Sequence, residues 1–218
     1  MKKKVAVAMS GGVDSSLTAA LLIEQGYDVI GVTMTLSDES REAGGSTAVS
    51  DAKKVADALN IPHYVVNYHK KFKDDVIKYF ISEYAKGRTP NPCVRCNNTV
   101  KFGSLLKDCL ELGADCVATG HYARIEQDEK TGRYLLKKGL DVRKDQSYVL
   151  YTLTQDVLKH FMLPLGNYSK EKTRELAGKM NLPVANKPES QEICFIPNDD
   201  YKAYLKVKAP HILKPGDI

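Results

Sequence analysis

The segment KVAVAMSGGVDSSLTAALLIEQ, residues 4–25, constrains the fold more than any other. KVAVA is short and apolar, as a buried strand is. Leu17, Ala20 and Leu21 then recur at helical spacing as far as Gln25, where Gly26 ends the run. Between strand and helix stands Ser10-Gly11-Gly12-Val13-Asp14-Ser15. Two glycines permit a tight turn and let a ligand approach the backbone closely. A helix that starts there presents unpaired N–H groups and the positive end of its dipole to an anion, and the hydroxyls of Ser10 and Ser15 add donors. Asp14 would repel a bare phosphate, so its presence makes sense if it holds a Mg²⁺ bridging the phosphates. No lysine follows as in G-x-x-x-x-G-K-[ST], and the glycine spacing is not that of G-x-G-x-x-G.

The rest of the N-terminal half repeats the alternation. Residues 28–34 and 63–67 read as strands, and residues 115–119 as a fourth. Helices are expected over 51–59, over 72–85 with Phe72, Val76, Phe80 and Tyr84 on one stripe, and over 100–112. Residues 35–50 are polar and Gly-rich and are expected as a loop, as is GRTPNPCVRCNN. This pattern predicts an α/β fold: a parallel sheet with helices on both faces, followed by a small, mostly helical region. Ligands of such sheets bind beyond the carboxyl ends of the strands. SGGVDS, Met34 and TGHYA all fall there, so three separate segments converge on one crevice. After Tyr122 the pattern changes to a hairpin around EKTG, helical stretches near 154–161 and 169–180, an irregular segment 183–198 and a helix near 199–206.

With 218 residues, 43% hydrophobic and 27% charged, the chain has the composition of a globular domain rather than a disordered or fibrous one. No apolar run approaches the ~18 residues that span a bilayer, so no membrane partner is expected. The apolar run after MKKK is too short for a signal-peptide core, which points to the cytoplasm. The formal charge is +5. Between His69 and Lys107, nine Lys/Arg residues face Asp74, Asp75 and Glu83, a basic zone that suits either a phosphate backbone or a solvated helix face.

The five cysteines, Cys93, Cys96, Cys109, Cys116 and Cys194, are odd in number, which argues against a disulfide scaffold. Cys109 and Cys116 fall on a predicted helix and strand and read as core thiols. Cys93 and Cys96 follow RTPNP in a loop, where Arg88, Arg95 and Lys101 are expected to favour thiolate over thiol. If the segment SQEICFI folds over the crevice, Cys194 joins them and three sulfurs meet.

SGGVDS resembles the PP-loop of the ATP pyrophosphatases, which break ATP between its α and β phosphates. RTPNPCVRCNNTVKFG, ATGHYAR, KDQSYVLY, PLGNYSKEKTRELA and KPESQEICFI together resemble the tRNA-specific 2-thiouridylase family over essentially the whole chain. The resemblance implies that ATP adenylates the C2 oxygen of the wobble uridine of certain tRNAs. A protein-bound sulfur, supplied by a persulfide or sulfide donor protein, then displaces AMP. It assigns Ala8, Met9, Ser10, Gly11, Gly12, Val13, Asp14, Ser15, Met34 and Gly120 to the ATP site. Cys96 is implied as the nucleophile and Cys194 as the persulfide carrier. Asn91, Pro92 and Cys93 are implied to flank the target base, and His121, Lys144, Asp145 and Gln146 to contact tRNA.

Many members of that family have Asp where this chain has Cys93. Here Cys93, Cys96 and Cys194 are candidates to ligate a [4Fe–4S] cluster, with one iron left to bind sulfide. The persulfide and cluster routes therefore both stand, as do another PP-loop adenylating enzyme, acting on a different base or in amidation, and a nucleotide-binding fragment without catalysis. The expected organisation is an ATP-binding domain over 1–143, a tRNA-contacting region over 144–208 and a linker over 209–218 to a further C-terminal β domain.

Overall fold

The structure is a computed structural model that describes residues 2–36, 46–189 and 193–212. Strand β1 (Lys4–Ala8) runs into helix α1 (Val13–Glu24), and β2 (Asp28–Thr35) follows. Helix α2 (Ser46–Ala58) leads to β3 (His63–Asn67). A continuous helical run over 69–85 forms α3, with a wider π turn at Lys73–Ile77. A second run over 92–111 forms α4, which widens likewise at Asn97–Ser104. Then come β4 (Cys116–Ala118) and a two-stranded antiparallel ribbon of β5 (Ala123–Gln127) and β6 (Tyr134–Lys138). The remaining elements are α5 (Gln155–Leu158), β7 (Phe161–Met162), α6 (Lys170–Lys179) and α7 (Tyr201–Lys208).

The main sheet has the order β3-β2-β1-β4-β7 and every pairing is parallel. Val5, Ala6 and Val7 of the central strand are wholly buried, as expected where helices cover both faces. On one face α3 and α4 pack over Ile30, Val32 and Val117. On the other, α1 and α2 cover Val7, Met9 and Val29. The crossover between β1 and β4 is the topological switch of the sheet, where such folds place their ligands.

Three sequence expectations are corrected. Helix α2 begins at Ser46, not at residue 51; residues 37–45 of the expected loop lie outside the described residues. Helix α4 begins at Pro92, not near residue 100. Asn91 caps it, accepting from the N–H of Cys93 at 3.0 Å and Val94 at 3.3 Å, and Pro92 supplies a first helical residue whose missing N–H costs nothing. The stretch near 154–161 is only briefly helical. Phe161 and Met162 instead add a fifth strand beside β4, a pairing too short to show in the sequence pattern.

Candidate functional site

The turn after β1 is shaped by what it touches. Gly11 has φ +69°, and a Cβ there would lie 2.3 Å from the Ala48 carbonyl oxygen in the first turn of α2. Gly12 is the N-cap of α1 and makes no side-chain cap, so the first-turn N–H groups are left for a ligand. Ser15 Oγ accepts from the Ser10 N–H at 3.1 Å and donates to the Gly12 carbonyl at 3.3 Å, which holds the loop open around the helix end. The TGHY turn closes on the same loop. A Cβ on Gly120 would come within 3.0 Å of Asp14 and of the Ser15 nitrogen. Met34, half-buried, is the last residue but one of β2 on the neighbouring side.

Two of the expected ATP-site residues have their side chains in the core. Met9 is buried, its N–H donates to the Val32 carbonyl, and its own carbonyl accepts from Thr33. The Val13 side chain is buried in the core, so only its backbone faces outward.

Asp14 is not the free carboxylate that a Mg²⁺ would want. Lys170 Nζ, at the start of α6, donates to both of its oxygens at 2.7 and 2.8 Å, and the Tyr122 hydroxyl donates to one at 2.9 Å. As placed, Asp14 is neutralised by an ammonium rather than set to hold a metal. Lys187 ties a further segment to the loop, donating to the Gly11 carbonyl at 3.0 Å and to Asp51 at 2.7 Å. Both lysines fall inside segments that carry the family resemblance, PLGNYSKEKTRELA and KPESQEICFI, but nothing in those segments says what they bond. Lys170 is 156 residues from Asp14, and only the fold joins them.

Cys194 is brought to the neighbourhood of α4 by a route the sequence did not show. Phe195 is buried against Phe72, Phe80 and Tyr204 at centroid distances of 5.6, 5.4 and 5.6 Å. That insertion anchors its neighbour Cys194 beside α4, where Cys194 feels the charges of Cys96, Cys93 and Lys101. Cys96 is buried, whereas Cys93 and Cys194 are exposed. Burial pushes the Cys96 thiol up, and Lys101 only partly offsets it. Crowding by protein, then Cys96, raises Cys194 as well, and solvent on its exposed side tempers that rise.

The expected cationic activation is thus corrected. Arg88 is paired with Glu83, and Arg95 donates to the Asp75 carbonyl and lies over the Tyr79 ring. Lys101 remains to pull Cys96 and Cys194 towards the thiolate, joined at Cys194 by a backbone hydrogen bond. Among the described residues, no three His, Cys, Asp or Glu side chains are arranged to hold a single metal ion. Cys109 and Cys116 are buried core thiols.

His121 connects the two ends of the crevice. It follows Gly120, its Nδ1 shares a 2.8 Å hydrogen bond with Thr119, and its ring lies 5.8 Å from that of Phe102, the neighbour of Lys101. Burial, helped by Lys101, pushes its pKa down to about 3, so the ring is neutral near pH 7. Gln146 accepts from the Tyr122 N–H, and Asp145 accepts from Gly139 and Ser147. Both side chains hold backbone in place rather than reaching outward. Lys144 pairs with Glu189 at 3.0 Å, which also meets Lys170 at 3.5 Å.

Comparison with known proteins is consistent with this layout. Residues 3–198 match the family model described as tRNA methyl transferase HUP domain. A tRNA-specific 2-thiouridylase, MnmA 1, of Caldanaerobacter subterraneus subsp. tengcongensis is 58% identical, covering 100% of this chain and 62% of the relative. The tRNA-specific 2-thiouridylase MnmA of Clostridioides difficile is 52% identical, covering 99% of this chain and 62% of its own. The chain therefore spans about three fifths of these relatives. In fold it resembles the U34-tRNA thiolase NcsA from Methanococcus maripaludis, solved with its [4Fe–4S] cluster (TM-score 0.56, 20% identity, 97% of this chain and 69% of that one). It also resembles a 4-thiouridine synthetase solved with RNA and ATP (TM-score 0.54, 19% identity, 96% of this chain and 51% of that one).

Proposed function

The chain belongs to the tRNA methyl transferase HUP domain family, and on that footing we propose that it transfers sulfur to the C2 position of the wobble uridine in tRNA in an ATP-dependent reaction. The observation that carries the reading is the anchoring of Cys194 beside Cys96, at a corner where Lys101 also acts on His121, whose neighbour Gly120 packs on the uncapped start of α1. Methyl transfer, the activity in the family's description, gives those thiols no task. Neither does amidation by another PP-loop enzyme. The names of the 52–58% identical relatives support thiolation.

In this mechanism the uridine C2 oxygen attacks the α-phosphorus of ATP and pyrophosphate leaves onto the first turn of α1. A urea-like oxygen is a poor leaving group, and the AMP ester makes it a good one. Cys194, exposed and so open to a donor protein, carries a persulfide whose outer sulfur attacks C2 and expels AMP. The Cys96 thiol then attacks the Cys194 sulfur, breaking the S–S bond. This frees 2-thiouridine and leaves a Cys96–Cys194 disulfide for an external thiol to reduce. Mg²⁺ would supply charge neutralisation at the phosphates, for which Lys170 would have to leave Asp14. Asn91, Pro92 and Cys93 flank the base in this reading.

A cluster on Cys93, Cys96 and Cys194 is the second reading, favoured by the mutual proximity of the three thiols. The test is incubation with tRNA, ATP and a sulfur donor, followed by digestion and mass analysis for 2-thiouridine. AMP must accumulate rather than ADP, and tRNA without 2-thiouridine refutes the reaction. Iron assay of anaerobically purified, active protein separates the two sulfur routes.

A further inference from the structure

The helix that carries Cys93 and Cys96 has a second functional-looking face. Asn91, Val94, Arg95 and Asn98 follow helical spacing, and they line a cavity of about 380 Å³ closed by Tyr79, Tyr151 and Thr152. Its chemistry is unlike that of a core gap. Tyr151 is 72% exposed, so a large aromatic face stands in solvent at the rim. Arg95 lies over the Tyr79 ring at 5.6 Å, an exposed guanidinium already set against an aromatic plane. Asn91 uses only its oxygen to cap α4, which leaves its amide nitrogen, and Asn98 adds an exposed amide. Thr152 Oγ1 is buried without any hydrogen-bond partner. A buried hydroxyl left unsatisfied is uncommon and asks for an explanation such as a ligand.

We propose that this cavity is a subsite for one unstacked RNA base flanking the target nucleotide, with Tyr151 as the stacking platform and the Thr152 hydroxyl and the asparagine amides reading the base edge. The proposal rests on the thiolation reading above. Aromatic faces, amides and arginine are the equipment by which proteins hold splayed-out bases of single-stranded RNA loops. Helical spacing puts the cavity on the side of α4 opposite the two thiols, roughly one helix diameter, ~10 Å, away. A strand passing over the N-terminus of α4 would present its target base to the thiols on one side and a neighbouring base to the cavity on the other. The positive end of that helix favours a phosphate at the crossing.

The experiment measures binding of a uridine-containing anticodon stem–loop RNA by fluorescence anisotropy, using the whole protein and its Tyr151→Ala, Tyr151→Phe and Thr152→Val variants. Each is paired with RNAs carrying one abasic nucleotide within two positions of the target on either side. Tyr151→Ala should weaken binding roughly tenfold, as loss of one base–aromatic stack does. Tyr151→Phe should bind as the parent does, because the ring is kept. Thr152→Val should weaken binding a few-fold and relax any preference for the base at the responding position. One abasic RNA should bind the parent weakly and show no further loss with Tyr151→Ala. ATP affinity, measured in parallel, should not move. Equal losses with Tyr151→Ala on every abasic RNA would overturn the subsite while leaving thiolation intact. Failure of the parent to bind the intact stem–loop would remove the functional reading and the subsite with it.

Discussion

Replacing Lys170 by methionine tests whether the nucleotide loop is held by the charge contact from α6. The Lys170 side chain is 10% exposed and that of Asp14 27%, and the ammonium donates to both carboxylate oxygens. Removing one partner of a fully buried pair costs about 3–5 kcal/mol, because the other charge is left uncompensated. Asp14 keeps the Tyr122 hydroxyl and some water, so a loss of about 2 kcal/mol is expected. For a domain of this size that lowers Tm by roughly 4–8 °C. Thermal unfolding followed by circular dichroism at pH 7 reads the shift, and moderate salt should change it little because the pair is mostly shielded. The double variant Asp14→Asn with Lys170→Met removes both charges and should recover at least half of the loss. A Tm within ~1 °C of the parent for Lys170→Met would refute the reasoning. So would a double variant whose loss equals the sum of the two singles.

Three further outcomes are expected. A maleimide at neutral pH should modify exposed Cys93 first and Cys194 only slowly, because its thiol is pushed up, and should reach Cys96, Cys109 and Cys116 only on unfolding. The Cys194 rate should keep climbing above pH 9, since its thiol is pushed up, and Lys101→Met should slow it further; a plateau below pH 8 contradicts this. Gly120→Ala places a Cβ 3.0 Å from the Asp14 and Ser15 backbone and should weaken ATP binding at least tenfold by calorimetry; unchanged affinity would show that the turn yields freely. His121 is held down to about 3 in the fold but titrates near its ordinary 6.5 when unfolded, so the unfolded chain binds about one more proton between those values and stability falls as pH drops through that window. His121→Gln should flatten that part of the stability–pH curve measured by urea unfolding at pH 6.5, 5.5 and 4.5; an identical slope removes the effect.

What could be read from the sequence follows from how local each signal is. The strand, glycine turn and helix of residues 4–24 are contiguous, and periodicity alone reveals them. The stripe of Phe72, Val76 and Phe80 repeats every four residues and faces the core as its spacing requires. RTPNP looks like loop punctuation, which hides the start of α4. Asn91 followed by Pro92 is equally the signature of a helix N-terminus, and the capping bonds show which reading applies. Strand β7 has two residues and no periodicity to detect; it exists because β4 offers it an edge. Lys170 and Lys187 reach the loop across 156 and 176 residues, and no local pattern encodes such contacts.

The same distinction explains how the thiol site works as a unit. The residue types of CVRC and EIC name the chemistry, but the ring that fixes Cys194 is Phe195, an ordinary core residue by composition. Burial then acts against reactivity, since it pushes Cys96 up while Lys101 pulls down. Lys101 has no carboxylate partner among the described residues, and its charge is felt by Cys96, Cys194 and the neutral His121. A desolvated ammonium interacts more strongly with a thiolate than a solvated one does. Closing RNA over this corner would strip water from Lys101 and the exposed face of Cys194 together. The thiolate would then be favoured only if the added Lys101 attraction exceeds the added desolvation of sulfur. Sulfur activation in the free protein should therefore be weak, and its dependence on Lys101 should grow when RNA is bound.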